Sequence, residues 1–81
     1  MYKFGKQGNQ DGQFYYPTDM FLLSSNNLLV CDMNNNRVQQ FSLDGRFTGK
    51  TITDLPRPLG IATAPDGRIL VTSSKAVYIL K

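Results

Sequence analysis

No histidine, glutamate or tryptophan occurs anywhere in the 81 residues, and there is a single cysteine, Cys31. Without histidine, the Ser–His–Asp and Cys–His arrangements are excluded, together with imidazole ligation of a metal. Without glutamate, paired-carboxylate chemistry would need two of Asp11, Asp19, Asp32, Asp44, Asp54 and Asp66, and no two of these share an obvious site. One cysteine forms no intramolecular disulfide, so a chain this short must draw extra stability from oligomerisation or from a larger parent protein. Long apolar runs are lacking too. The longest, Ala76–Leu80, has five residues, against about twenty for a membrane-spanning helix. Lys3 and Lys6 are not followed by an apolar stretch, so no signal peptide is expected. Nine Lys and Arg residues give a net charge of +3 but are scattered without a basic run. The expectation is a soluble, cytoplasmic, non-enzymatic chain with no cofactor and no membrane partner.

What is present is a succession of short β-rich runs separated by turn residues. Met20–Leu23, Leu28–Cys31, Val38–Phe41 and Phe47–Ile52 form one set; Gly60–Thr63, Ile69–Thr72 and Ala76–Leu80 form another. Between them lie Ser25-Asn26-Asn27, Asn34-Asn35-Asn36, Asp44-Gly45 and Asp66-Gly67. Asn-rich and Asp-Gly steps supply the left-handed residues that tight hairpins require. No segment has a helical period, so the fold is all-β and the strands form an antiparallel meander.

Self-similarity then fixes the architecture. Tyr16-Pro17-Thr18-Asp19-Met20 matches Arg57-Pro58-Leu59-Gly60-Ile61 at an offset of 41 (58 − 17), and Leu29-Val30 matches Leu70-Val71 at the same offset. Val38 aligns with Val77 at 39, through a two-residue deletion in the preceding loop. A period near 40 with four short strands per unit is the spacing of a β-propeller blade. Blade one is expected over 16–53 and three strands of blade two over 57–81.

The pattern Phe4-Gly5, Gly8, Asp11-Gly12-Gln13-Phe14, Pro17, Leu29-Val30-Cys31-Asp32, Asn34–Asn36, Arg37-Val38-Gln39-Gln40-Phe41 and Asp44-Gly45-Arg46-Phe47 resembles the NHL repeat. The second unit departs from it, with Ser73 at the place of Asp32 and no arginine at that of Arg37. The resemblance implies a six-bladed propeller and, as in NHL proteins of the tripartite-motif group, either a protein-interaction scaffold or a single-stranded RNA-binding surface. Two blades per chain make the closed ring a homo-oligomer, a homotrimer if it has six blades. Tyr2-Lys3-Phe4-Gly5 reads as an outer strand, so residues 1–5 are expected to be donated to blade two of a neighbouring copy. Tyr2 and Phe4 would there meet Val77, Tyr78 and Ile79.

The candidate ligand or RNA face comprises Lys6, Tyr15, Tyr16, Arg57 and Lys75, all in loops that a propeller collects at one end. Tyrosines can stack on bases and a basic rim can track phosphates, although packing tyrosines and scattered solvated cations are the plainer alternatives. Asp32 and Arg37 are read as a structural ion pair inside the blade rather than as ligand contacts. The Asn-rich turn is read as left-handed backbone. Asp19 begins an innermost strand where the second unit has Gly60, so copies around an axis could offer oxygen ligands to a cation. The plainer reading is a solvated carboxylate, and no metal is assigned. Cys31, inside an apolar strand, is expected to be inert.

Overall fold

The computed structural model describes residues 3–80. Its first sheet holds β1 (Pro17–Leu22), β2 (Asn27–Asp32), β3 (Arg37–Ser42) and β4 (Phe47–Ile52), in that order; its second holds β5 (Pro58–Thr63), β6 (Ile69–Ser73) and β7 (Val77–Leu80). Every pairing of consecutive strands is antiparallel. This is one four-stranded blade followed by three strands of a second.

The repeat extends to the hydrogen bonds. In the β1–β2 turn, Leu23 N–H donates to Asn27 C=O (2.8 Å) and Asn26 N–H to Leu23 C=O (2.9 Å); 41 residues on, Ala64 donates to Arg68 (2.8 Å) and Gly67 to Ala64 (2.9 Å). Asn26 and Gly67 both take positive φ, 68° and 91°, the left-handed position that closes such a turn. A bulge interrupts the β1–β2 register between Pro17 and Asp19, and an equivalent one lies between Pro58 and Gly60 in β5–β6. Cys31 pairs with Val38 and Thr72 with Val77, which gives the slip from 41 to 39 its structural basis.

Directly opposed residues share a face of the sheet, so each blade has two. On blade one the forward face carries Phe21, Leu29, Cys31, Val38 and Ile52; the rear face carries Met20, Leu22, Leu28, Val30, Phe41 and Phe47. The blades meet forward face to rear face. Leu29, Cys31, Val38 and Ile52 pack with Ile61, Ile69, Val71, Tyr78 and Leu80, and Leu55, from the connector, is buried among them. The rear face of blade one forms a second cluster, in which Leu28, Val30, Phe41 and Phe47 are covered by Phe4 and Phe14. Phe41 is in ring contact with Phe4, Phe14 and Phe47 at centroid separations of 5.1, 5.3 and 5.7 Å.

Two expectations about the chain ends need restating. Tyr2 lies outside the described residues. Lys3, Phe4 and Gly5 are in no strand, and the Phe4 ring lies on the chain's own blade one, where it fills the Phe41 cluster. Along β7, alternation sends Val77 and Ile79 outward (65% and 57% exposed) and turns Tyr78 into the contact between the chain's own blades. The Tyr78 side chain thus faces the chain's own junction, while β7 remains the edge strand of its sheet. No described helix is long and apolar enough to cross a membrane.

Candidate functional site

The segment from Gly5 to Tyr16 crosses one end of blade one and is held there by buried polar side chains. Asp32 is fully buried and Arg37 nearly so, with Nε to Oδ2 at 3.1 Å. Arg37 also donates through Nη1 to Asn9 C=O (3.2 Å) and through Nη2 to Gln10 C=O (2.9 Å) and Gln13 C=O (2.6 Å). The rest of Asp32 accepts from Tyr15 N–H (2.6 Å) and Asn35 Nδ2 (2.8 Å). The planar guanidinium spreads four of its five N–H groups over a carboxylate and three carbonyls, so each of its nitrogens has a partner, as a buried charge requires.

Gln39, absent from the sequence-based candidates, is an equal part of this clamp. It is fully buried, accepts from Gly12 N–H (2.9 Å) and donates to Gln13 C=O (2.8 Å). Its signal in the sequence was its place in the Arg37-Val38-Gln39-Gln40-Phe41 stretch of the repeat pattern, one residue from the apolar Val38. Of the three asparagines after β2, only Asn36 is left-handed (φ 54°), while Asn35 donates to both Asp32 and Gly8 C=O (2.9 Å).

The clamp positions two tyrosines. Tyr16 has φ 76°, a costly value for a residue with a side chain. It is held by Met33 N–H donating to Tyr16 C=O (3.1 Å) and Asn34 N–H to Tyr15 C=O (3.0 Å). Tyr15 and Tyr16 consequently stand out at 49% and 63% exposure. Together with Lys6, Gln7 and Phe14 they line an open cleft of about 430 Å³ in which no carboxylate takes part.

The structure does not line this cleft with the other two candidates. Arg57, also at positive φ (50°), sits at the Asn36 turn, where its N–H donates to Asn36 Oδ1 (2.9 Å) and Nη2 approaches Met33 Sδ (3.8 Å). Lys75 lies in the β6–β7 turn, its N–H donating to Ser73 Oγ (3.2 Å). Asp19 is engaged across the blade junction, Oδ2 accepting from Ile61 N–H at 3.0 Å. Among the described residues no three Cys or Asp side chains gather as metal ligands. Burial, with a smaller contribution from the Asp19 charge, pushes the Cys31 thiol up to about 11, so it stays protonated and unreactive at neutral pH.

Residues 14–41 match the NHL repeat. Over 83 aligned residues, covering 94% of this chain and 8% of the relative, the sequence is 36% identical to protein brain tumor of Drosophila melanogaster. It is 40% identical over 45 residues (56% of this chain, 5% of the relative) to the B-box type zinc finger protein ncl-1 of Caenorhabditis elegans. Protein lin-41 of the same nematode is 40% identical over 47 residues (58% and 4%). The chain spans less than a tenth of the length of these curated relatives.

Proposed function

We propose that this chain, which carries an NHL repeat, is a non-catalytic interaction scaffold that joins other copies of itself in a closed β-propeller and offers its loop end to a protein or ligand. The observation that carries this reading is the rear face of blade one. Its cluster repeats much of the junction between the two blades from one side only, with Gln39 at the place of Tyr78 and Phe4 over part of it. Phe14 stands where Leu55 stands, Leu28 and Val30 where Ile69 and Val71 stand, and Phe41 where Leu80 stands. Met20, the counterpart of Ile61, is 62% exposed, and Leu22 beside it 52%. Apolar side chains at these levels, on a sheet face whose counterpart is covered, favour association. Two blades per chain and six per ring make the assembly a trimer, soluble and cytoplasmic. Sedimentation or light scattering on the intact chain tests this: a mass of several chains is expected, and a cooperatively folded monomer at every concentration would overturn it.

A second reading, single-stranded RNA binding at the loop end, is favoured by the acid-free cleft that brings Lys6 beside Tyr15 and Tyr16. Bases stack on such rings at about 1–3 kcal/mol each, and a nearby cation follows the phosphates. Oligonucleotide binding that weakens in Tyr15→Ala and Tyr16→Ala and falls steeply with salt is the expected result; affinity equal in wild type and both variants removes this reading.

A further inference from the structure

The junction inside the chain is tied by polar groups as well as packed. Besides the Asp19–Ile61 bond, Thr18 Oγ1 donates to Pro58 C=O at 3.1 Å. Asn36 accepts twice, through Oδ1 from Arg57 N–H (2.9 Å) and through its carbonyl from Leu55 N–H (3.2 Å). Arg57 Nη2 reaches back to Met33 Sδ (3.8 Å), but the side chains in the three ties above all belong to blade one and reach forward onto backbone of the segment beginning blade two.

At the corresponding places on blade two those side chains are absent. The repeat puts Leu59 at the position of Thr18 and Gly60 at that of Asp19, at the offset of 41; Lys75 falls at that of Asn36, at 39. A leucine has no hydroxyl, a glycine no carboxylate and a lysine no acceptor. The Thr72 hydroxyl on this face is turned to the blade's own Gly60 C=O (3.5 Å), and what the face otherwise presents is apolar: Leu59, Val77 and Ile79, at 42%, 65% and 57% exposure. Opposite it, in any head-to-tail contact that repeats the internal junction, would stand Met20 and Leu22, also uncharged.

We infer that the occupant of the forward face of blade two is the rear face of blade one in a second copy, and that this junction, unlike the one within the chain, is held by apolar contact without side-chain latches. The inference rests on the self-assembly reading and adds its polarity and its weak point. One surface meets a different surface, so the contact propagates until a ring closes. The ring then opens between chains and not within them, and its mass falls on dilution while each two-blade unit stays folded.

Two substitutions on exposed side chains separate the faces. Met20→Lys spoils the rear face of blade one, and Val77→Lys spoils the forward face of blade two; two lysines repel where the two spoiled faces would meet. Each variant alone is expected to be monomeric with an unchanged melting profile by circular dichroism. Mixed, they should form a complex of two chains and no more, because each contributes its one intact face. Wild type that is monomeric throughout would overturn self-assembly and this inference together. Wild type that assembles, with either variant still assembling alone or with no pair forming on mixing, would overturn the inference and leave self-assembly standing.

Installing one latch tests the second half. Leu59→Thr restores the hydroxyl at the position of Thr18 without altering Gly60, whose added Cβ would come within 3.0 Å of Thr72 Oγ1. One hydrogen bond gained should lower the concentration at which the assembly dissociates by about two- to tenfold. A dissociation midpoint that stays put or rises in a folded Leu59→Thr protein would show that the missing hydroxyl does not limit this junction.

Discussion

The two blades share a backbone and differ in what holds their approach. Both enter through a residue at positive φ before a proline, Tyr16 and Arg57; both bulge two residues later; both close the next turn with the same pair of hydrogen bonds. Only blade one has the buried Asp32–Arg37–Gln39 clamp. Its approach, residues 5–16, is long enough to need tying down, and the clamp consists of donors and acceptors aimed at that segment. The approach to blade two, 53–57, is short and anchored by Leu55 in the core and by the two acceptors of Asn36. Ser73, standing where Asp32 stands, serves only its own turn, accepting from Lys75 N–H and Ala76 N–H. The acidic–basic signature of the repeat is thus a loop clamp and not a requirement of the blade.

The largest effect that comparison predicts is the contrast between Asp32→Ala and Ser73→Ala. Removing Asp32 leaves the Arg37 guanidinium buried without its counter-charge and Tyr15 N–H without its acceptor, a loss of about 3 kcal/mol. Removing the Ser73 hydroxyl frees two backbone N–H groups at an exposed turn, where water replaces it, and should cost well under about 1 kcal/mol. Chemical denaturation of the two variants measures both. Equal losses would mean that Ser73 carries more of blade two than its hydrogen bonds account for.

A second contrast concerns equivalent positions in β2 and β6. Cys31 is fully buried at the junction, whereas Thr72, at its place on blade two, faces outward. The folded chain holds the Cys31 thiol at about 11, above the ordinary value of 9.0, so folding favours the protonated form. The associated stability is fully present below pH 9 and is lost as pH rises through about 11, because only the unfolded chain ionises readily in that window. The difference between 9.0 and about 11 corresponds to about 2–3 kcal/mol. Denaturation midpoints of wild type should decline between pH 9 and 11 more steeply than those of Cys31→Ala. Parallel curves would place the thiol in contact with water.

Much of this was legible in the residues, and the reason is local. Turn chemistry at Asn26, Gly45 and Gly67, the offset of 41 and its slip at Val77 all follow from hairpins whose geometry is set by nearby sequence. Strand alternation alone would have separated Tyr78 from Val77 and Ile79. What was not legible depends on contacts distant in sequence. The Asp19 carboxylate bonds to a backbone amide 42 residues away, and nothing in its own neighbourhood announces that. The positive φ of Tyr16 and Arg57 was equally hidden, since a residue before proline is ordinarily extended. Phe4 was assigned to a neighbour's sheet because its strand-like flanks were visible, while the Phe41 cluster that receives its ring was not.

The smallest effect lies at two exposed hairpins, where each blade offers one carboxylate beside one arginine. Both Asp44, in the β3–β4 turn, and Asp66, in the β5–β6 turn, titrate below the usual carboxylate value, for different leading reasons. For Asp44 the first cause is the Ser42 hydroxyl, with Arg46 N–H next; for Asp66 it is the Arg68 side chain, Nε to Oδ2 at 2.8 Å. Lowered values mean that the turn-stabilising interactions are present at neutral pH and disappear as pH falls through the lowered pKa, with the sign opposite to that at Cys31. Salt separates the two cases. An interaction led by an exposed guanidinium is screened by added electrolyte, whereas a hydroxyl donating over hydrogen-bond distance is affected far less. Following the side-chain carboxyl carbons by NMR from pH 6 to pH 2, at low and at about 1 M salt, should show Asp66 moving back toward the ordinary value while Asp44 moves little. Equal movement would make the Arg46 charge, and not the Ser42 hydroxyl, the principal partner of Asp44, and the two hairpins would then be electrostatically alike.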